Sequence, residues 1–199
     1  YVIFNPEGGL GKIIASTAII KSIKEKYPEH KIIVLTPWPE VYLNNPNIHR
    51  VFKSGNTAYF YKDYLEGRDS IVLRGEPYFN TNHLYGRNHL IQSWCELHNL
   101  PFKDKTKPEL YFTTAEETYY ATNLADNKPL VMQTTGGGYN DEKQYSWTRD
   151  LPQQQAQILA DNLSQKFKII HISRKNGYQL NNVHRVDEVQ NKRTLISIL

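Results

Sequence analysis

The sequence predicts an α/β protein with parallel sheets, arranged as two doubly wound units, the second incomplete at the C-terminus. Three observations lead there. The apolar run Tyr1-Val2-Ile3-Phe4 ends in Asn5-Pro6 and a turn containing Gly8, Gly9 and Gly11, and a helical pattern follows. Leu130 to Thr135 run into Gly136-Gly137-Gly138 in the same way. Between and after these, short β-branched runs alternate with helical patterns, the β-α-β-α order of a parallel sheet with helical crossovers. A strand that stops at a glycine-rich turn and feeds a helix is the opening unit of such a fold. Its glycines let the backbone come close to a ligand, and the helix N-terminus favours anionic groups.

The elements follow in order. Ile13, Ser16, Ile20, Ile23 and Tyr27 recur in steps of three and four, which makes one helical face from Leu10 to Tyr27. Pro28 stops that helix. Lys31 to Leu35 reads as a buried parallel strand, and Thr36-Pro37-Trp38-Pro39 as a rigid turn at its end. Val41 to Leu43 is one helical turn. Arg50 to Phe52 is a third strand, Ala58 to Leu65 a helix, and Asp69 to Leu73 a fourth strand ending at Arg74-Gly75-Glu76-Pro77-Tyr78. A helix is expected from His83 to Leu97, with Leu84, Leu90, Ile91, Trp94 and Leu97 partly on one face, and a strand over Glu109 to Phe112. Thr113 followed by Glu116 and Glu117 is a capped helix start, running to about Asp126.

Asn127-Lys128-Pro129 marks the expected boundary, giving domains 1–127 and 128–199. In the second, Leu130 to Thr134 is a strand and Pro152 to Gln165 a helix with Ala156, Leu159 and Leu163 as its buried stripe. Phe167 to Ile172 is the next strand, Val183 to Val189 holds a third, and a further helix begins at Asn191. The C-terminal pattern has no stop signal, so the natural chain is expected to continue beyond Leu199.

Composition narrows the functional classes. Hydrophobic content of 39% supports a packed core, and no apolar run approaches the roughly 20 residues that span a bilayer. No signal peptide is visible, and the single cysteine, Cys95, excludes an internal disulfide and fits a reducing, cytoplasmic compartment. Cys95 itself reads as a packing residue beside Trp94. A net charge of +4 and a pI near 9.0 suit anionic ligands such as nucleotide phosphates, or weak peripheral attraction to an acidic membrane surface. There is no dense basic run of the kind that binds nucleic acid. His83, His89 and His98 lack metal-ligand spacing, so no metal site is expected.

In parallel sheets ligands bind beyond the C-terminal ends of the strands. The residues there are Asn5 to Lys12, Thr36 to Pro39, Arg74 to Tyr78, Thr134 to Trp147, and Ser173 to Gly177. Two domains whose strand ends faced each other would enclose a cleft.

Several of these segments resemble a known family. The run from Gly9 through Lys12, Ile13 and Ile14 to Tyr27-Pro28 is similar to the opening of glycosyltransferase family 9, the ADP-heptose:lipopolysaccharide heptosyltransferases. Asn45-Pro46-Asn47-Ile48-His49-Arg50-Val51 resembles that family's step into its third strand. Lys143 to Leu151, with Trp147, resembles the segment that opens a helix in its second domain, and Arg193 to Leu199 the helix before its donor-binding segment. The motifs are short, and their shared order is the stronger signal.

The resemblance implies a GT-B fold of two Rossmann-like domains, with the acceptor on the first and a nucleotide-sugar donor on the second. It implies inverting transfer by direct displacement, with the nucleotide sugar as co-substrate and neither cofactor nor essential metal. Acceptor-side candidates are then Asn5, Gly8, Gly9, Gly11 and Arg74. Donor-side candidates are Thr134, Thr135, Gly136, Lys143, Trp147, Arg149, Ser173 and Arg174, with a saccharide or glycolipid as the partner substrate.

The chain departs from the family at one point: Lys12 stands where the family has its aspartate base. A protonated lysine cannot accept a proton, so Glu7 is the nearest alternative base. Lys12 could instead hold an acceptor phosphate or carboxylate, or stabilise the leaving diphosphate. A P-loop NTPase is the rival enzyme class. It fits less well, because Pro6 occupies the first glycine position of the motif and Ile13 replaces the hydroxyl residue that binds Mg²⁺. A non-catalytic sugar- or nucleotide-binding relative is the third reading.

Overall fold

The computed structural model describes residues 1–118, 129–135, 150–173 and 177–187. Backbone contacts divide the chain into two compact units, Tyr1–Phe112 and Thr113–Leu199. The expected boundary at 127/128 falls among residues 119–128, outside the described residues.

The first unit holds a four-stranded parallel sheet of β1 (Val2–Asn5), β2 (Ile32–Thr36), β3 (Ile48–Lys53) and β4 (Ile71–Arg74), in the order β3-β2-β1-β4. Because successive side chains of β1 point to opposite faces, both faces of this sheet must be covered. Ile3 and Ile33 pack with Phe60 and Tyr64 of α3 (Phe60–Tyr64), and Tyr1, Phe52 and Leu65 close that cluster. Phe4, on the opposite face, has its ring 6.1 Å from that of His98. His98 caps the C-terminal end of α5 (Leu90–Leu97).

The long opening helix expected over residues 10–27 forms as α1 (Leu10–Ser16), a 3₁₀ turn (Thr17–Ile19) and α2 (Ile20–Lys26). The hydroxyls of Ser16 and Thr17 donate back to the carbonyls of Ile13 and Ile14, at 2.7 and 2.8 Å, which draws the helix tighter at that point. Ile13, Ser16, Ile20 and Ile23 are buried as the spacing requires. Ser16 also meets the buried Tyr42 hydroxyl, and burial pushes the Tyr42 phenol well above its ordinary range.

Three expectations for this unit need correction. The helix expected over His83–Leu97 is two helices, α4 (Thr81–Leu84) and α5. Asn80 caps the first by accepting from Asn82 and His83 N–H, Gly86 turns the chain at φ +66°, and His89 caps the second through Nδ1. Leu84 and Leu97 are exposed as a result, and the buried face of α5 is Ile91, Ser93, Trp94 and Cys95. Glu109–Phe112 is not a strand. Side chains meet part of its backbone instead: Thr17 Oγ1 accepts from Glu109 N–H at 3.0 Å, and Asn44 Nδ2 donates to Tyr111 O at 3.4 Å.

His98 gives this unit a pH response. Burial, with Lys26 adding a smaller push, lowers its pKa from 6.5 to about 4. The unfolded chain therefore takes up a proton that the folded chain refuses, so His98's contribution is complete above pH 6.5 and is lost as pH falls toward 4. A melting temperature followed from pH 7 to pH 4 should fall through this window, and His98→Gln should flatten that part of the curve.

The second unit opens at the capping box read from the sequence. Thr113 N–H donates to Glu116 Oε2 at 2.7 Å, Glu116 N–H donates to Thr113 Oγ1 at 3.2 Å, and helix α6 follows over 114–118. Its expected extension to Asp126 lies outside the described residues. β5 (Leu130–Gln133), β6 (Ile169–Ser173) and β7 (His184–Asp187) form a parallel sheet in that order. Helix α7 (Gln153–Ser164) packs on it through Ala156 and Ala160, against Met132, Ile169 and Leu180. The expected stripe is thereby corrected: Leu159 is exposed and Ala160 takes its place, because two alanines four apart let the helix lie close to the sheet. The helix expected from Asn191 lies outside the described residues.

Candidate functional site

In the first unit the strand order reverses beside β1. The crossovers after β1 and β2 move to one side, and β4 returns to the other. Ligands bind at the carboxyl ends of the two strands flanking such a reversal. Those ends are in register here, with Asn5 opposite Arg74. The sequence candidates Asn5, Glu7, Gly8, Gly9, Gly11, Lys12 and Arg74 all come from these two strand ends, the loop after β1 and the first turn of α1.

Three neighbouring strand ends hold that loop. Asn5 Nδ2 donates to Leu35 O at 2.7 Å, joining the ends of β1 and β2. Trp38 Nε1, from the turn after β2, donates to Gly8 O at 3.1 Å. Arg74 forms an ion pair with Glu7 at 2.9 Å, and both side chains are more than half exposed. Lys12 forms an ion pair with Glu76, two residues beyond β4. The Lys12 side chain is only 8% exposed, that of Glu76 37%, and Lys12 Nζ lies 5.2 Å from the centre of the Tyr78 ring. The second oxygen of Glu76 accepts from Tyr78 N–H at 3.2 Å, capping the 3₁₀ turn Pro77–Phe79.

The glycines divide by role. Gly8 has φ +119°, and a Cβ there would come within 2.9 Å of Lys12 Cδ. Gly9 and Gly11 have open space where a Cβ would stand, so packing does not demand glycine at either position. Gly75 does face packing: a Cβ there would meet Leu97 Cδ2 at 2.7 Å. Gly8→Ala should destabilise the unit by about 1–3 kcal/mol through backbone strain and displace Lys12 from Glu76. Chemical denaturation measures the first effect, and the Lys12 side-chain resonances report the second.

The segment after β4 is held from below. Asn82, Asn88 and Asn80 donate their side-chain amides to the Glu96 carboxylate, and these bonds, Asn82's foremost, hold its carboxyl below the usual range. Tyr78, Phe79 and Tyr85 on this segment are exposed.

In the second unit, Thr134 directly follows β5 and Ser173 ends β6, so both stand at carboxyl strand ends. Both are buried. Thr134 Oγ1 lies 2.9 Å from Nε2 of the buried His171, which commits that hydroxyl to the interior, and Thr134 O accepts from Leu151 N–H. Thr135 is half-buried, and its carbonyl accepts from Gln133 Nε2 at 3.0 Å. Gly136, Lys143, Trp147, Arg149 and Arg174 lie outside the described residues.

Sequence reading missed Glu76 and the role of Trp38. The signal for Glu76 was present: it is the one carboxylate at the end of β4, the strand that pairs with β1 on the side away from β2. Among the described residues no group of His, Cys, Asp and Glu is placed to hold a metal ion, and no helix is long and apolar enough to cross a membrane.

Each of the two units is a parallel, Rossmann-like α/β sheet. No protein-family model and no curated protein matches the chain. Among solved structures it is similar to a glycosyl transferase of family 9 from Veillonella parvula, with a TM-score of 0.59 at 12% identity over 87% of this chain. It is also similar to ADP-heptose LPS heptosyltransferase II from E. coli, with a TM-score of 0.56 at 13% identity over 87% of this chain. An E. coli heptosyltransferase solved with ADP-2-deoxy-2-fluoro heptose gives a TM-score of 0.51 at 11% identity over 86%. The chain spans 62%, 64% and 68% of the lengths of these three proteins. The fold resemblance read from the sequence is thus present in three dimensions.

Proposed function

We propose that the chain acts in glycosyl transfer, moving a sugar from a nucleotide-sugar donor to a saccharide or lipopolysaccharide-type acceptor. The observation that carries this reading is the shared fold over nearly the whole chain with three glycosyltransferases. The arrangement at the β1–β4 strand ends adds to it, by placing two carboxylates, Glu7 and Glu76, where such a sheet binds ligands.

In this reading the acceptor sits at the first unit and the donor at the second, by way of Thr135, Ser173 and the candidates Gly136, Lys143, Trp147, Arg149 and Arg174, with Thr134, whose hydroxyl faces His171, holding the strand end in place. Transfer is an inverting direct displacement that needs no metal. The acceptor oxygen forms its bond to the anomeric carbon as the bond from that carbon to the diphosphate breaks. The leaving nucleoside diphosphate keeps the electron pair, and the acceptor's hydroxyl proton passes to Glu7. Glu7 suits this role by position: it follows β1 at the end of the sheet where ligands bind, and its side chain is more than half exposed. The working compartment in this reading is the cytoplasm, where nucleotide sugars are the co-substrates.

Calorimetric titration with UDP, ADP, GDP and their common sugar conjugates, with and without Mg²⁺, tests the proposal. Metal-independent micromolar binding of one diphosphate supports it and names the donor class. Binding of ATP or GTP only with Mg²⁺ replaces it with an NTPase, and absence of nucleotide binding replaces it with a non-catalytic saccharide-binding role.

A further inference from the structure

We infer that Glu76 is the carboxylate that binds an uncharged hydroxyl of the acceptor saccharide, and that Lys12 is the positioning residue that holds it in place. The inference deepens the glycosyl-transfer reading and rests on it. It also specifies the acceptor: the part seated at β4 is a neutral, polyhydroxylated ring, not a phosphate.

The charge arrangement is the first argument. Glu7, Lys12, Arg74 and Glu76 pair two by two, and the four sum to zero. The Lys12 ammonium, which by sequence could have met an anion, is 8% exposed and faces Glu76 and the Tyr78 ring. The group of this pair that reaches solvent is the carboxylate. An anionic acceptor group brought here meets the exposed Glu76 oxygen before it meets the lysine.

Hydrogen-bonding capacity at the Glu76 carboxylate is the second. Its two oxygens offer about four lone-pair positions. Lys12 and Tyr78 N–H take two of them, and the rest are open to a ligand's hydroxyls.

The two carboxylates differ in their surroundings: Glu76, held by the largely covered Lys12, orients the hydroxyl whose proton passes to Glu7, which pairs with the exposed Arg74. Tyr78 and Phe79 follow directly and are 44% and 77% exposed. They supply the apolar surface on which the C–H face of a sugar ring can rest beside a polar anchor.

Ligand-observed NMR on the full chain tests this, with methyl glycosides of common hexoses and heptoses set against the matching sugar phosphates. The neutral glycosides should bind, and the phosphates no more tightly. Glu76→Gln should weaken glycoside binding about tenfold or more, as for a lost hydrogen bond to a charged group. That variant leaves Lys12 unpaired, so the double variant Lys12→Met with Glu76→Gln is the control. It should restore the melting temperature and leave glycoside binding weak, whereas a merely structural pair would see both restored.

Tighter binding of phosphates, binding indifferent to Glu76→Gln, recovery of binding in the double variant, or absence of glycoside binding would each overturn the inference. Calorimetry with nucleotide diphosphates on the same samples separates it from the parent reading. Intact nucleotide binding with Glu76-independent glycoside binding sinks the Glu76 assignment alone. Glu76-dependent glycoside binding without nucleotide binding sinks the transfer reading and keeps the subsite.

Discussion

Glu7→Gln should lower turnover on the order of 10²-fold or more while leaving the affinity for the nucleotide-sugar donor unchanged. Glutamine keeps the size of the side chain and its hydrogen bonding to Arg74 but cannot accept a proton. Its effect on folding should be small, because an exposed ion pair of this kind contributes about 0–1 kcal/mol. The measurement is a pair of numbers on one preparation: kcat for sugar transfer, and the donor Kd by calorimetry. Near-normal turnover would remove Glu7 from the chemistry. Glu76→Gln, by contrast, should act mainly through the acceptor's KM. The contrast between the two variants is the sharpest test of the division of labour at the β1–β4 strand ends.

Trp94→Ala should destabilise the first unit by about 3–5 kcal/mol, as expected when a large buried aromatic is truncated and leaves a cavity. Trp94 is 1% exposed and belongs to the buried face of α5. Its indole N–H has no hydrogen-bond partner among the described residues, so the side chain contributes through packing. Trp94→Phe should therefore cost much less than Trp94→Ala, since most of the buried volume is kept and no hydrogen bond is lost. Urea unfolding of the three proteins measures this. Equal losses for the two variants would show that the indole nitrogen matters after all. The consequence reaches the site, because α5 packs against the 3₁₀ turn that carries Tyr78 and Phe79.

Much of the fold was legible because its signals are local. The period of Ile13, Ser16, Ile20 and Ile23, the β-branched runs read over Lys31–Leu35 and Phe167–Ile172, and the Thr113–Glu116 capping box each depend on residues a few positions apart; the burial and the capping box formed, and the two runs became strands shifted by one or two residues, Ile32–Thr36 and Ile169–Ser173. The errors arose where a neighbour distant in sequence took over. Glu109–Phe112 has the composition of a strand, but Thr17 and Asn44, distant in sequence, take its Glu109 N–H and Tyr111 carbonyl in place of a neighbouring strand. Leu159 has the right spacing for the core, but the close approach of α7 to its sheet selects Ala160. The caps Asn80 and His89 were not recognised, so two helices were read as one.

The site shows the same division. The sequence by itself determined that a glycine-rich turn joins the first strand to the first helix, that Glu7 and Lys12 flank it, and that Arg74 and Glu76 end the fourth strand. Only the tertiary structure decided which charges meet. Lys12 and Glu76 are 64 residues apart and become partners because the strand order places β4 directly beside β1. A charge's role depends on its burial and its counter-ion, and both are set by that pairing of strands. Lys12, which by sequence could have held an anionic group, meets the Glu76 carboxylate once folded.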